Sequence, residues 1–247
     1  MRVVELTPTL EGDLTVYPLD VVDGLTLLHT TRQGGVSVGP YASANLGYHV
    51  HDDSAAVDDN RRRLSTVMGG DVRSVSQVHG RHVVRYAAID AESEADIIVL
   101  DDGDGPAMVM SADCLTAALI DRRRRRLALV HAGWRGLAVG ALRAAREQLG
   151  DDCLAVVGPA ISQAGYQVGP EVAEYFAHVP GALVADGDRF RLDITTVALR
   201  QLSDLATDII TVTNRTDTDT LLFSDRRQRP CGRHALVAAW RSTMDLS

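Results

Sequence analysis

The stretch Ser111-Ala112-Asp113-Cys114-Leu115-Thr116-Ala117-Ala118-Leu119-Ile120, the charged run 121–126 and the segment Leu127-Ala128-Leu129-Val130-His131 decide how this chain folds. The two apolar runs are long enough for strands and short for helices. Between them lie one aspartate and five arginines. That run reads as a solvated hairpin turn whose charge discourages strand-to-strand aggregation, rather than as a nucleic-acid patch. A hairpin turning there brings residues 114 and 131 close to being cross-strand neighbours.

Working outward, similar short apolar runs at 25–29, 83–87, 96–100, 107–110, 154–157 and 209–212 also read as strands. Helical spacing fits 54–67, 137–149, 170–176 and 194–205. In the second of these, Leu137, Leu142, Ala145 and Leu149 share one face. Strands and helices mix without strict alternation, which favours an α+β fold over a doubly wound sheet. No repeat, low-complexity tract or long linker divides the chain, so a single domain over 1–247 is expected.

Composition removes several function classes. The net charge of −8 argues against a general nucleic-acid or membrane-surface binder. The chain has no lysine, which excludes Schiff-base catalysis and a phosphate-loop lysine. Phosphate contacts must come from arginine forks, backbone amides or a metal. Three cysteines form a sparse, odd set, no apolar run reaches the ~20 residues of a membrane span, and no secretory signal is visible. A reducing cytoplasm is the expected location.

Three residues carry the chemistry. His79 lies in Ser76-Gln77-Val78-His79-Gly80, Cys114 follows Asp113 after an apolar run, and His131 opens His131-Ala132-Gly133-Trp134-Arg135-Gly136. Glycines beside both histidines permit close backbone approach to a ligand. Two imidazoles and a thiolate suffice for a metal site with an open fourth position. Cys114 and His131 alone would equally make a nucleophile–base pair, and the residues leave both chemistries open. Asp113, beside a strand end, must be paired, and either orients a ligand histidine or acts in proton transfer. Arg32 and Arg135, each in a glycine-rich turn, are candidates for an anion pocket. Cys153 and Cys231 read as structural, and His29, His49, His51, His178 and His234 as surface or satisfied core residues. His49-Val50-His51 is a single His-X-His pair in a chain of eight histidines, too few for a multicopper oxidase.

The ordered set of motifs resembles the YfiH-like laccase-domain family, whose members include zinc-dependent purine nucleoside phosphorylases. It runs from His29-Thr30-Thr31-Arg32-Gln33-Gly34-Gly35 and Asn45-Leu46-Gly47 through the three segments above. It continues to Gly158-Pro159-Ala160-Ile161, Tyr166-Gln167-Val168-Gly169 and Phe223-Ser224-Asp225-Arg226-Arg227. The resemblance implies one layered α/β/β/α sandwich with mixed sheets. It implies zinc rather than copper, held by His79, Cys114 and His131. Asn45, Gln77, Ser224 and Arg226 enter as substrate or phosphate contacts on the resemblance alone. Thr116 stands where the family usually has proline, and Asp225 where it often has tyrosine. Segments 162–165 and 213–214 lack cysteines common in the family, so no second, cysteine-based metal site is expected.

The implied activity is phosphorolysis of a purine nucleoside (adenosine, inosine, guanosine or methylthioadenosine), with adenosine deamination in the same pocket. Its partners would be the nucleoside and phosphate, with Asp113 protonating the leaving purine. Two alternatives stand beside it. Kinship with deamidating cytotoxic necrotizing factors suggests a cysteine hydrolase or amidase using Cys114 and His131, a warrant from fold alone. A role in peptidoglycan-precursor quality control is the other, although aromatics form only 4% of the chain and no sugar-stacking platform is apparent.

Overall fold

The computed structural model describes residues 1–241. In chain order, the first half contains β1 (Arg2–Val4), β2 (Thr9–Glu11), β3 (Leu14–Pro18), β4 (Leu25–Thr30), α1 (Ser54–Met68), β5 (Val83–Arg85), β6 (Ile97–Leu100), β7 (Ala107–Ser111) and β8 (Leu115–Asp121). There follow β9 (Arg126–Ala132), α2 (Trp134–Ala138), α3 (Ala141–Arg146), β10 (Cys153–Val157), β11 (Gln167–Val168), α4 (Pro170–Ala173), β12 (Leu183–Asp186), β13 (Arg189–Leu192), α5 (Ile194–Ser203), β14 (Asp208–Val212) and β15 (His234–Trp240).

The β8–β9 hairpin forms as expected, with Asp121 paired to Arg126 and Thr116 to His131. It sits at the centre of a seven-stranded mixed sheet ordered β1-β14-β10-β8-β9-β6-β5. Every residue of β8 is buried, because both faces of this sheet are covered. Leu115, Ala117 and Leu119 face one core, with Leu137, Leu142 and Val197 of the helices. Ala118 and Ile120 face a second core, with Leu27, Val109 and Leu236 of a five-stranded antiparallel sheet, β2-β3-β4-β15-β7. The far side of that sheet packs Val16, Met108 and Val237 against Leu64 of α1. The result is a mixed, single-domain α/β/β/α sandwich. Alternating side chains of one strand feed opposite cores because successive Cβ atoms point to opposite faces. A small sheet, β11-β13-β12, joins the helical side.

Several expectations needed revision. The helix expected over 137–149 is two short helices, begun earlier at Trp134 and broken where Gly140 adopts φ +83°. Its apolar period continues across the break because both pieces pack on the same sheet. The strand over 83–87 ends at Arg85 and turns into a 3-10 segment, Tyr86–Ala88. Similarly, 170–176 is one turn of α4 followed by a 3-10 turn. The arginine turn is solvated and its charges are paired, mostly with carboxylates from outside the turn: Arg122 and Arg123 pair with Asp152, Arg124 with Asp121, Arg125 with Asp102 and Arg126 with Asp101. No helix among the described residues is long and apolar enough to cross a membrane.

Candidate metal centre

His131 is the penultimate residue of β9, and α2 begins two residues beyond that strand's end. Its backbone N–H donates to the carbonyl of Asp96 at 2.8 Å, and its Nδ1 lies 2.8 Å from Asp96 Oδ1. Asp96 is completely buried at the head of β6. The same carboxylate accepts from the backbone N–H of His79 at 3.0 Å and of Gly80 at 2.6 Å. His79 has φ +61°, a conformation most side chains avoid. Two N–H groups converging on one buried carboxylate are what hold it there. One aspartate therefore positions both histidines.

The imidazoles of His79 and His131 meet edge to face, with centroids 4.8 Å apart. Cys114, in the Ser111–Leu115 connection between β7 and β8, completes the group, and the ligand atoms of His79, Cys114 and His131 all lie within 4.8 Å of one another. Gly133 makes the approach possible. A methyl group there would lie 2.7 Å from Cys114 Sγ and 3.4 Å from His79 Cδ2.

The electrostatics suit a metal. Burial pushes the Cys114 thiol up, but hydrogen bonds and charge from His131 and His79 outweigh it and bring the pKa down to about 6. Burial opposes charge on His131 as well, yet Asp96 and Cys114 together raise it to about 9. For Asp96, burial is likewise overcome by His131 and the Gly80 and His79 amides, and its pKa falls below the ordinary value. Without a metal, the site favours a thiolate beside an imidazolium. A cation would take the proton's place. Two nitrogens and one sulfur, backed by a carboxylate on His131, can hold a metal ion.

The trio lies in a cleft of about 400 Å³, whose walls include His49, Gln77, Met110, Asp225 and Arg233. Gln77 also clamps the backbone of Met110, donating from Nε2 at 2.8 Å and accepting at Oε1 at 2.7 Å. The other residues named from sequence do not line this cleft. Asn45 is buried behind it, and its Oδ1 accepts the backbone N–H of Arg233 at 2.8 Å. Arg32 donates to the Ala42 carbonyl and lies over the Phe223 ring. Arg135 is exposed and lies over Trp134. Ser224 is buried and accepts from the Arg227 amide. Arg226 stacks on Tyr166, and its backbone N–H donates to Asp113 Oδ2 at 2.7 Å.

Asp113 has φ +98°, and its Oδ1 accepts from the Thr216 hydroxyl at 2.6 Å. Both of its oxygens thus tie neighbouring segments to the Cys114 connection. The sequence reading missed Asp96, Arg233 and His49 as site residues. Asp96 had one signal, a charge at the head of an otherwise apolar run. Arg233 had none, since it lies in no motif that the spacing singled out.

The sequence pattern of the multi-copper polyphenol oxidoreductase laccase family matches residues 26–241. A purine nucleoside phosphorylase of Pseudomonas aeruginosa is 41% identical over 68% of this chain and 73% of its own length. The purine nucleoside phosphorylase YfiH of Escherichia coli is 35% identical over 86% of this chain and 92% of its own. Among solved structures, a Neisseria meningitidis protein superposes with a TM-score of 0.87 at 32% identity, covering 93% of this chain and all of that one. YlmD from Geobacillus stearothermophilus gives 0.84 at 26% identity, over 97% of this chain and all of its own.

Proposed function

This chain belongs to the YfiH-like, laccase-type family, and from that premise we propose that it is a purine nucleoside phosphorylase. A phosphate oxygen would bond to the anomeric carbon as the glycosidic bond breaks, and the proton carried by the hydrogen phosphate would pass to the departing purine, giving a free purine and ribose 1-phosphate. The observation that carries this reading is the His79–Cys114–His131 cluster in a cleft whose wall supplies a guanidinium, Arg233.

Zinc held by these three residues would supply a Lewis acid with an open coordination position. The surroundings favour zinc over copper. A His2Cys set becomes a blue-copper site with a long axial methionine, but the Sδ of Met110, which lines the cleft, accepts from Arg61 at 3.7 Å. Within the protein itself, Asp96 holds His131 in one orientation. Gln77 fixes the Met110 wall against which an apolar purine face can rest. Arg233 offers phosphate the Nη2 end of its guanidinium, since Nη1 donates to the Cys231 and Gly232 carbonyls. Asp113 acts through position, anchoring the segment that begins at Ser224 and carries Asp225 and Arg233. Arg32, Asn45, Ser224 and Arg226 support this loop and its surroundings, while Arg135 packs over Trp134 at the surface. Adenosine deamination in the same cleft would consume water and leave phosphate untouched.

A second reading has its own observation. Cys114 at about 6 and His131 at about 9, with Asp96 behind the imidazole, form a thiolate–imidazolium pair oriented by a carboxylate. That is the arrangement of a cysteine hydrolase.

Metal analysis of the purified protein, combined with product analysis for adenosine across a phosphate titration, tests both. The phosphorylase reading requires bound zinc and adenine release that rises with phosphate. Arg233→Gln should then cost roughly 10²-fold in efficiency toward phosphate, while Arg135→Ala should cost far less. Adenine release indifferent to phosphate means hydrolysis. Absence of purine chemistry, with amide cleavage by a metal-free protein, selects the second reading.

A further inference from the structure

Asp225 is the one carboxylate among the described residues lining the metal-site cleft, and it faces the guanidinium proposed for phosphate. Its Oδ1 lies 3.7 Å from Arg233 Nη2, while its Oδ2 pairs with Arg229. Arg233 is committed elsewhere through Nη1, which donates to the carbonyls of Cys231 and Gly232. Nη2 is therefore the end that meets Asp225. At 3.7 Å the pair is electrostatic without being a hydrogen bond. Both side chains keep about a fifth of their surface in solvent, 23% for Asp225 and 20% for Arg233. The contact is loose enough to exchange for another anion.

The frame around the pair is fixed. Asn45 Oδ1 holds the backbone N–H of Arg233, and Asp113 Oδ2 holds that of Arg226, next to Asp225. A phosphate approaching Nη2 would meet a carboxylate that the loop cannot carry far away.

We propose that Asp225 is an internal competitor for phosphate at Arg233, an anion built into the cleft that sets how much phosphate the site requires. The inference rests on the phosphorylase reading. Arg229 has a defined part in it. By pairing with Asp225 Oδ2 it draws charge away from Arg233, so its removal should tighten the competition rather than relieve it.

The test is calorimetric titration of inorganic phosphate into the purified wild type, Asp225→Asn, Arg229→Gln, the double variant and Arg233→Gln. A carboxylate at this distance and exposure should weaken phosphate binding by about fivefold. Asp225→Asn should therefore bind phosphate about fivefold more tightly, and its phosphorolysis should show a lower KM for phosphate with unchanged kcat and unchanged nucleoside KM. Arg229→Gln should weaken binding. The double variant should match Asp225→Asn, because Arg229 acts only through Asp225. A double variant as weak as Arg229→Gln would show that Arg229 meets phosphate directly, and would overturn the proposal. Binding that Arg233→Gln abolishes but Asp225→Asn leaves unchanged or weaker overturns the competition alone. Absence of phosphate binding in the wild type and Asp225→Asn overturns the phosphate reading of the cleft and this inference with it.

Discussion

Asp96 and His131 are joined twice, by the backbone N–H of His131 on the Asp96 carbonyl and by Nδ1 of the ring at 2.8 Å from Asp96 Oδ1. The first bond fixes where the residue sits, and the second fixes which way its ring faces. Nε2 is left as the nitrogen available to a metal. Because the same carboxylate receives the His79 and Gly80 amides, one buried charge organises two of the three candidate ligands.

Asp96→Asn should therefore weaken zinc binding by roughly 10- to 100-fold, the usual cost of removing a carboxylate behind a ligating histidine. The amide keeps an acceptor for only one of the two backbone donors, which meet separate oxygens of Asp96, so a far-UV spectrum of the variant separates loss of the fold from loss of zinc affinity. A chelator competition series measures the affinity. Zinc held as tightly as in the wild type would show that Asp96 serves the backbone alone.

Cys114→Ser should remove bound zinc and nucleoside turnover together, because a neutral hydroxyl is a poor ligand beside a thiolate. Elemental analysis alongside turnover separates the two readings. An inactive serine variant that keeps its full zinc would count against the metal trio and favour a nucleophilic Cys114.

Gly133→Ala isolates the same centre sterically. Gly133 has φ −68° and ψ 179°, which alanine adopts without strain, so the damage comes only from the methyl at 2.7 Å from Cys114 Sγ. Overpacking of this kind costs about 1–3 kcal/mol, and here the displaced atom is the candidate ligand. Zinc occupancy should fall while the far-UV spectrum stays native. Normal occupancy would mean that the thiol has room to move and still bind.

Stability should fall on mild acidification. His29 and His234 are both fully buried, with ring centroids 4.9 Å apart. Burial pulls His29 down to about 4, outweighing its hydrogen bond to Thr30, and His234 is driven well below the ordinary histidine value by burial and by His29. Both folded pKa values lie below the unfolded ones, so the unfolded chain takes up protons first. Their contribution is complete above about pH 6.5 and is lost as pH falls toward 4. The slope should reach about 1.4 kcal/mol per pH unit for each histidine, with roughly 3 kcal/mol in total from His29. Denaturant melts from pH 7.5 to 4.5 measure this, with Cys114→Ser run in parallel to subtract the thiol. A flat profile in that variant would mean the imidazoles are charged in the fold.

The strands at 96–100, 107–110, 115–120, 127–131, 154–157 and 209–212 were legible because a buried strand announces itself through consecutive apolar residues. Two of the edge strands, β1 and β2, were not. Arg2–Val4 and Thr9–Glu11 are largely exposed and carry no periodic signal. His234–Trp240 is entirely buried, yet it pairs between strands from distant parts of the chain, which local sequence does not reveal. The break at Gly140 escaped notice because an apolar stripe persists wherever two pieces face the same sheet.

By itself, the sequence determined the hairpin around the arginine turn and the mixed α+β character, and it singled out the three residues of the candidate metal centre, since each depends on neighbours within a few positions or on a short motif. Only the tertiary structure decided what surrounds them. Asp96 stands 35 residues before the histidine it orients, and Arg233 reaches the cleft from the other end of the chain. The arginines closest to the motifs, Arg32 and Arg135, are spent on a carbonyl and on aromatic faces. Spacing records which way a side chain leaves the backbone. Which charges it meets is set by strand order and loop closure, and these are fixed by long-range packing of the two sheets.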